Sequence, residues 1–260
     1  MRIGCAAYSY RDFLKEGGGM TLEAFVDECA RMGLDGVELT SYYFATPVTE
    51  ARLHAIKRHC FRRGLHILGT AVGSNFAQAD EAARREHVRM TREWIDHSVT
   101  LGAPVIRVFA GPIPQGATEA QAAAWAVACL REVSDYGAQR GVCVALENHG
   151  GITGTADQVL HLMDQMKGSP AGWFGLNLDC GNFHTHPYRE IERCAPHAIT
   201  THAKRSMRGP SGPERVDYTR VVEIMRRAGY SGYLSVEYED RDDPRTAVPE
   251  FVAYLQSVAR

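Results

Sequence analysis

Four short, largely apolar segments in the second half of the chain each lead into a side chain that can bind a hard divalent cation. The side chains that end these segments are Glu147, Asp179, His202 and Glu237. If the segments are parallel strands of one barrel, their carboxyl ends open on a single face and the four groups converge there. Three carboxylates crowded around an imidazole would repel one another unless a divalent cation lay among them. The pattern therefore predicts a metal site.

Strand-like and helix-like patterns alternate along the whole chain, and this alternation predicts where the four side chains lie. The predicted strands cover 2–8, 34–39, 65–70, 105–109, 142–147, 174–179, 199–204 and 232–238. The predicted helices cover 21–33, 49–63, 79–101, 118–141, a segment from 155 onward, 188–194, 217–228 and a segment from 246 onward. We expect the stretches 9–20 and 205–215 to be loops, because both are rich in Gly, Arg or Ser.

Eight such repeats in 260 residues favour an α/β fold, a (β/α)₈ TIM barrel forming one domain over 1–260 with the active site at the carboxyl ends of the strands. Capping-box spacings at Thr118 and Thr155, with Gln three residues later in each case, support two of the helix starts. A doubly wound open sheet is the alternative. It is disfavoured because the first strand–helix turn lacks G-x-G-x-x-G and the chain has no G-x-x-x-x-G-K-[ST] loop.

Composition and charge exclude several classes of partner. The net charge is −2, with 29 basic and 31 acidic residues interspersed, so we expect neither nucleic acid nor an anionic membrane as a partner. The seven cysteines form no C-x-x-C pair and are expected to be buried thiols. The amino terminus enters a strand directly, and no stretch reaches transmembrane length. We expect a cytoplasmic protein that acts on a small molecule.

The second half of the chain also carries a family resemblance, on motifs around the four predicted ligands. The motifs are Ala145-Leu-Glu-Asn-His149, Asn177-Leu-Asp-Cys-Gly-Asn182, Thr201-His-Ala-Lys204 and Gly232-Tyr-Leu-Ser-Val-Glu-Tyr-Glu239. They resemble the xylose isomerase-like sugar phosphate isomerase/epimerase superfamily, which also contains endonuclease IV. The first half matches more loosely, through Gly36-Val-Glu38 and Ile106-Arg-Val-Phe-Ala-Gly111.

The resemblance implies that Glu147, Asp179, His202 and Glu237 bind one divalent ion, Mn²⁺ in preference to Mg²⁺, Co²⁺ or Zn²⁺. A mixed oxygen and nitrogen ligand set suits a Lewis-acid site better than a closed structural zinc site. The resemblance further implies an isomerase or epimerase of a small keto-sugar or polyol. Glu147 and Glu237 would exchange a proton as base and acid through a metal-stabilised enediolate.

Further residues are expected to contact the carbohydrate. Arg208 matches an arginine that contacts substrate oxygens in related epimerases, and Lys204 could hold an anionic group or brace a carboxylate. Those epimerases have a histidine three residues after the metal-binding aspartate, where this chain has Asn182; His184 follows closely and could take its place. We also expect His149 to line the pocket.

Several alternatives stay open at this stage. A lyase, either a dehydratase like inosose dehydratase or an enzyme that cleaves 3-keto-glycosides, would use the same metal site. DNA repair like that of endonuclease IV needs extra histidines on the third and fourth strands, where the chain has His66 alone, near a strand start. A binding subunit and a homodimer are further possibilities. Glu38 and Arg107 could form a buried ion pair or contact substrate.

Overall fold

A computed structural model describes residues 1–170, 172–209 and 212–259 of the chain. The strands are β1 (Arg2–Ala6), β2 (Gly36–Thr40), β3 (His66–Ala71), β4 (Val105–Val108), β5 (Cys143–Glu147), β6 (Phe174–Asp179), β7 (Ala198–Ala203), β8 (Ser206–Gly209), β9 (Gly212–Arg215) and β10 (Tyr233–Val236). All except β8 and β9 form one closed parallel barrel in the order β1-β10-β7-β6-β5-β4-β3-β2. The predicted barrel fold is confirmed.

Helices alternate with the barrel strands and cover them with their apolar faces. They are α1 (Arg11–Leu14), α2 (Leu22–Arg31), α3 (Glu50–Arg62), α4 (Glu81–Leu101), α5 (Glu119–Arg140), α6 (Ala156–Gln165), α7 (Pro187–Cys194), α8 (Tyr218–Arg227) and α9 (Pro244–Ala259). Both predicted capping boxes are present, at Thr118 and Thr155, so these hydroxyls accept backbone N–H groups that the helix itself leaves unpaired. Among the described residues, no helix combines the length and apolar character needed to cross a membrane.

Four predicted segments are wrong in detail. The strand predicted over 2–8 ends at Ala6, and the expected loop begins as a 3₁₀ helix (Ala7–Tyr10) followed by α1. The expected loop 205–215 contains the antiparallel hairpin of β8 and β9. The last helix begins two residues earlier than predicted, because Asp243 accepts a hydrogen bond from the Arg245 N–H and Pro244 fits a first helical position.

The register of the barrel places the predicted ligands side by side. Asp179 on β6 pairs with His202 on β7, and His202 pairs in turn with Ser235 on β10, two residues before Glu237. Glu147 at the end of β5 pairs with Asn177 on β6. The four ligand positions therefore occupy one arc of the barrel rim.

The seven cysteines, all within the described part of the chain, are free thiols. Six are buried and Cys143 is partly exposed. The six buried thiols belong to the hydrophobic core.

Ser9 ties the first strand–helix connection to the last barrel strand. Its buried hydroxyl donates to the Val236 carbonyl at 2.9 Å and accepts from the Tyr238 N–H at 2.9 Å, so it clasps the backbone on both sides of Glu237. Ser9→Ala leaves both backbone groups unpaired. We expect it to lower the free energy of unfolding by about 1–3 kcal/mol.

Denaturant unfolding of the variant measures this loss. Ser257→Ala is the matched control, because its hydroxyl donates to the Tyr254 carbonyl on an exposed face of α9. Equal stability of Ser9→Ala and the control would show that the clasp contributes nothing.

Candidate active site

The four predicted ligands converge, as the sequence implied. Glu147, Asp179, His202 and Glu237 are all buried, and each offers one ligand atom within 4.8 Å of the ligand atoms of the other three. Two oxygen ligands of one divalent ion lie at most about 4–5 Å apart, twice a ligand distance of about 2.0–2.6 Å. The cluster is therefore compact enough for a single ion.

Two atoms at the centre of the cluster have unmet bonding capacity. Asp179 Oδ2 and His202 Nδ1 are buried, and neither has a hydrogen-bond partner among the residues that the structure describes. His202 Nδ1 lies 3.2 Å from Glu147 Oε2, 3.3 Å from Glu237 Oε2 and 4.0 Å from Asp179 Oδ2. Buried polar atoms are rarely left unpaired. A divalent cation at this point would satisfy both, so the donor set fits a metal.

The carboxylates of the cluster differ in their electrostatic environment. Burial raises the pKa of Asp179 to about 7, because Glu147 and Glu237 reinforce it and the Lys204 ammonium offsets only part of the effect. Burial would also raise the pKa of Glu237, but His202 and Lys204 outweigh it and hold that pKa well below its usual range. A cation among these groups would favour the ionised form of all three acids.

Glu147 is held by two amide donors and by the charge of one guanidinium. Asn177 Nδ2 donates to Oε2 at 2.9 Å, Asn182 Nδ2 reaches Oε1 at 3.4 Å, and Arg107 Nε lies 3.2 Å from Oε2. Burial would raise the pKa of Glu147, but the charges of Arg107 and His202 outweigh it and lower that pKa. Asn177, a buried amide inside an apolar strand, was not predicted. The sequence signal for Asn177 is a polar residue within a strand that is otherwise apolar.

Asp179 and Glu237 are fixed mainly through their backbones. The Asn148 amide accepts the Asp179 N–H at 2.8 Å and donates to the Asp179 carbonyl at 3.0 Å. Asp179 Oδ1 accepts the Gly181 N–H at 2.7 Å, which leaves Oδ2 facing the other ligands. The Glu237 N–H donates to the Ala203 carbonyl at 3.0 Å.

His202 is held from the opposite wall of the barrel by Glu38 on β2. Its Nε2 lies 2.9 Å from Glu38 Oε2 and 3.1 Å from Oε1. The ion pair between Glu38 and Arg107, one of the two roles considered for them, is not formed: Glu38 pairs with His202, and Arg107 lies against Glu147. One imidazole thus contacts Glu38 on one side and the ligand carboxylates on the other. Sequence spacing does not reveal such a contact across the barrel.

Lys204 lies beside the cluster, and its carbon chain is buried. Its Nζ is 3.5 Å from both Asp179 Oδ2 and Glu237 Oε2, donates to Asn182 Oδ1 at 3.0 Å and forms an ion pair with Glu239. Burial would lower the Lys204 pKa, but the surrounding carboxylates raise it well above its usual value. It is placed to brace two ligands, one of the two roles considered for it from the sequence.

Two cavities flank the cluster, and they divide the predicted substrate residues between them. The smaller, of ≈ 110 Å³, is lined by Tyr8, Tyr42, Arg107, Phe109, His149, Glu237 and Glu239. The larger, of ≈ 360 Å³, is lined by Gly181, Asn182, His184, Lys204, Ser206, Met207, Arg208, Pro213, Glu239 and Asp240. His149 is thus separated from the other four, and Glu239 lines both cavities.

The smaller cavity has aromatic walls. The rings of Tyr8 and Tyr42 meet edge to face at 6.4 Å, and those of Phe109 and His149 lie 4.2 Å apart. The Arg107 guanidinium stacks on Phe109, 3.9 Å from the ring centroid. Phe109 was not predicted at this site, and its place at the end of an apolar strand made it indistinguishable from a core residue.

The chain belongs to the xylose isomerase-like TIM barrel family, whose model matches residues 26–258. The resemblance seen in the motifs is thereby confirmed. Comparison with curated protein sequences gave no match.

Three solved structures illustrate the likeness in fold. A D-psicose 3-epimerase with D-tagatose from Clostridium cellulolyticum H10 has 14% identity and a TM-score of 0.81, over 100% of both chains. A xylose isomerase-like TIM barrel protein from Mycobacterium smegmatis in complex with magnesium has 17% identity and a TM-score of 0.76, over 100% of this chain and 98% of that one. A probable 3-DHS dehydratase, AsbF, from Bacillus anthracis has 16% identity and a TM-score of 0.76, over 98% and 99%. At these identities the likeness establishes the fold.

We expect a divalent cation to stabilise the folded protein through this cluster. Mn²⁺ at 100 times its Kd should add about 2.7 kcal/mol to the free energy of unfolding. Asp179→Asn should lose most of that gain, because the unpaired Oδ2 is one of the ligand atoms.

Thermal unfolding with and without Mn²⁺, after chelation, measures the gain. Asp164→Asn is the matched control, since Asp164 forms an exposed surface pair with Lys167. A Mn²⁺-dependent gain in Asp179→Asn equal to that of the control would contradict the assignment.

Proposed function

We propose that the protein is a divalent-metal-dependent isomerase or epimerase of a small keto-sugar or polyol, with Mn²⁺ as the favoured ion. The observation that carries the proposal is the buried four-ligand cluster with unpaired Asp179 Oδ2 and His202 Nδ1, of which Glu237 also lines the smaller cavity. An ion held there would supply a Lewis acid that polarises a substrate carbonyl and the adjacent hydroxyl. The epimerase and the magnesium-bound barrel of the same fold support this choice.

The two glutamates are proposed to hold and move the proton. Glu237 lines the smaller cavity, while Glu147 Oε1 points to Asn182, which lines the larger one. Glu237 therefore lies at the smaller cavity, and Glu147 is separated from the larger one by Asn182. A substrate lying across the cluster would meet a base on one face and an acid on the other, as proton removal from one side and return from the other requires.

The walls of the smaller cavity suit a carbohydrate. Tyr8, Tyr42, Phe109 and His149 offer ring surfaces for the C–H faces of a sugar, and the polar groups beside them can bind hydroxyls. On the other side, Lys204, Asn182, His184 and Arg208 are proposed to contact substrate oxygens, because they share the larger cavity.

A lyase is the second candidate, and one observation favours it. Glu147 is already bonded by two amides and lies against Arg107, whereas Glu237 lies 3.5 Å from the Lys204 ammonium. Glu237 as base and Lys204 as acid to a departing hydroxyl would perform a dehydration. The probable dehydratase of the same fold supports this alternative. A product lighter than the substrate by one water, detected by mass spectrometry, would select it over the isomerase.

The proposal predicts that each glutamate is required for proton exchange. In D₂O, the Mn²⁺-loaded protein should incorporate deuterium at one carbon of a ketose, measured by NMR across a panel of free sugars. Glu147→Gln and Glu237→Gln should each lower that rate by about 10²–10⁴-fold, the usual contribution of a positioned acid or base.

Glu250→Gln is the matched control, as Glu250 is exposed on α9. Metal content by plasma mass spectrometry accompanies each sample, so that loss of the ion is separated from loss of proton transfer. Exchange at the wild-type rate in both active-site variants would refute the assignment.

A further inference from the structure

We propose that Glu38 is a positioning residue, which orients the His202 ring so that Nδ1 faces the three carboxylates and thereby sets the metal affinity of the site. This inference rests on the proposed function, because it assumes that the cluster binds a cation. It adds to the four ligands a residue from the first half of the barrel, 164 positions away from His202 in the chain.

The geometry around the imidazole carries the proposal. Both carboxylate oxygens of Glu38 lie within 3.1 Å of Nε2, so the ring is gripped at one nitrogen by a forked contact. The other nitrogen, Nδ1, has no hydrogen-bond partner among the described residues and lies within 4.0 Å of an oxygen of each of Glu147, Asp179 and Glu237. Nε2 is therefore held by Glu38, and Nδ1 faces the three carboxylates.

The chemistry of histidine indicates which ring nitrogen would bind the cation. A ring nitrogen binds a metal only without its proton, and a neutral imidazole keeps one proton on the other nitrogen. An ionised carboxylate only accepts hydrogen bonds. Glu38 therefore selects the tautomer with the proton on Nε2, and this leaves the Nδ1 lone pair for the cation. A carboxylate behind a metal-bound histidine also raises its basicity.

Burial argues against a purely structural role for Glu38. The residue is 2% exposed, on β2 between Ala6 of β1 and Gly69 of β3. A buried ion pair seldom stabilises a fold more than apolar residues of the same volume would. Within the described residues, Glu38 forms its ion pair with His202, whose second nitrogen faces the ligands. The position of the Glu38 carboxylate therefore favours a role in the proposed metal site.

Two variants test the proposal by isothermal titration of chelator-treated protein with Mn²⁺. Glu38→Ala removes the acceptor and should raise Kd about 100-fold, whereas Glu38→Gln keeps an amide oxygen for the Nε2 proton and should raise Kd about 10-fold, within the range for such outer partners. Glu50→Gln is the matched control, because Glu50 lies 3.8 Å from His54 in an exposed pair on α3. It should bind Mn²⁺ as the wild type does.

The melting temperature in chelator separates positioning from structure. Without metal, Glu38→Gln should have the melting temperature of the wild type. On addition of Mn²⁺, its melting temperature should rise less than that of the wild type. A wild-type Kd in Glu38→Ala would overturn this inference and leave the proposed metal site standing. Equal increases in Kd in both variants, accompanied by equal losses of metal-free stability, would overturn it as well. Wild-type protein that binds no Mn²⁺ would overturn the proposed function itself.

Discussion

The structure depends on one electrostatic constraint, the burial of four acids around one histidine at the end of a barrel. Glu38, Glu147, Asp179 and Glu237 are at most 4% exposed, and two buried cations, Arg107 and Lys204, lie among them. With all four acids ionised and the imidazole protonated, four negative charges face three positive ones in this region. Unpaired buried charge is costly, so the folded state favours any group that supplies the balance. A divalent cation bound there would supply it and would also bind the two atoms that lack hydrogen-bond partners among the described residues.

Both halves of the closed barrel contribute residues to this charged cluster. The second half carries the ligands on β5, β6, β7 and just after β10. The first half carries Glu38 on β2, which contacts His202, and Arg107 on β4, which contacts Glu147. Closure of β1 against β10 lets Ser9 clasp the backbone around Glu237. Each ligand is therefore fixed by a contact outside its own strand, which is the support that a preformed metal site requires.

The sequence predicted the barrel and the ligands because both follow from periodic patterns. Glu147 and Asp179 each end an apolar run, and parallel strands bring such ends to one rim. The partners were not predicted in the same way. Glu38 was considered for an ion pair with Arg107 or for a substrate contact, and its contact with His202 was missed, because spacing shows which strand a residue occupies but not which group across the barrel its side chain meets. The β8–β9 hairpin escaped prediction for a related reason, since polar residues with Gly and Pro are common to loops and to short exposed hairpins.

The central claim is that one divalent cation binds Glu147, Asp179, His202 and Glu237, with His202 bound through Nδ1. Anomalous diffraction at the manganese edge, from crystals grown with Mn²⁺, tests it directly. We predict one peak within about 2.0–2.6 Å of an oxygen of each carboxylate and beside Nδ1, with Nε2 still on Glu38. A peak at Nε2, a peak outside the barrel rim, or the absence of a peak at saturating Mn²⁺ would contradict the account.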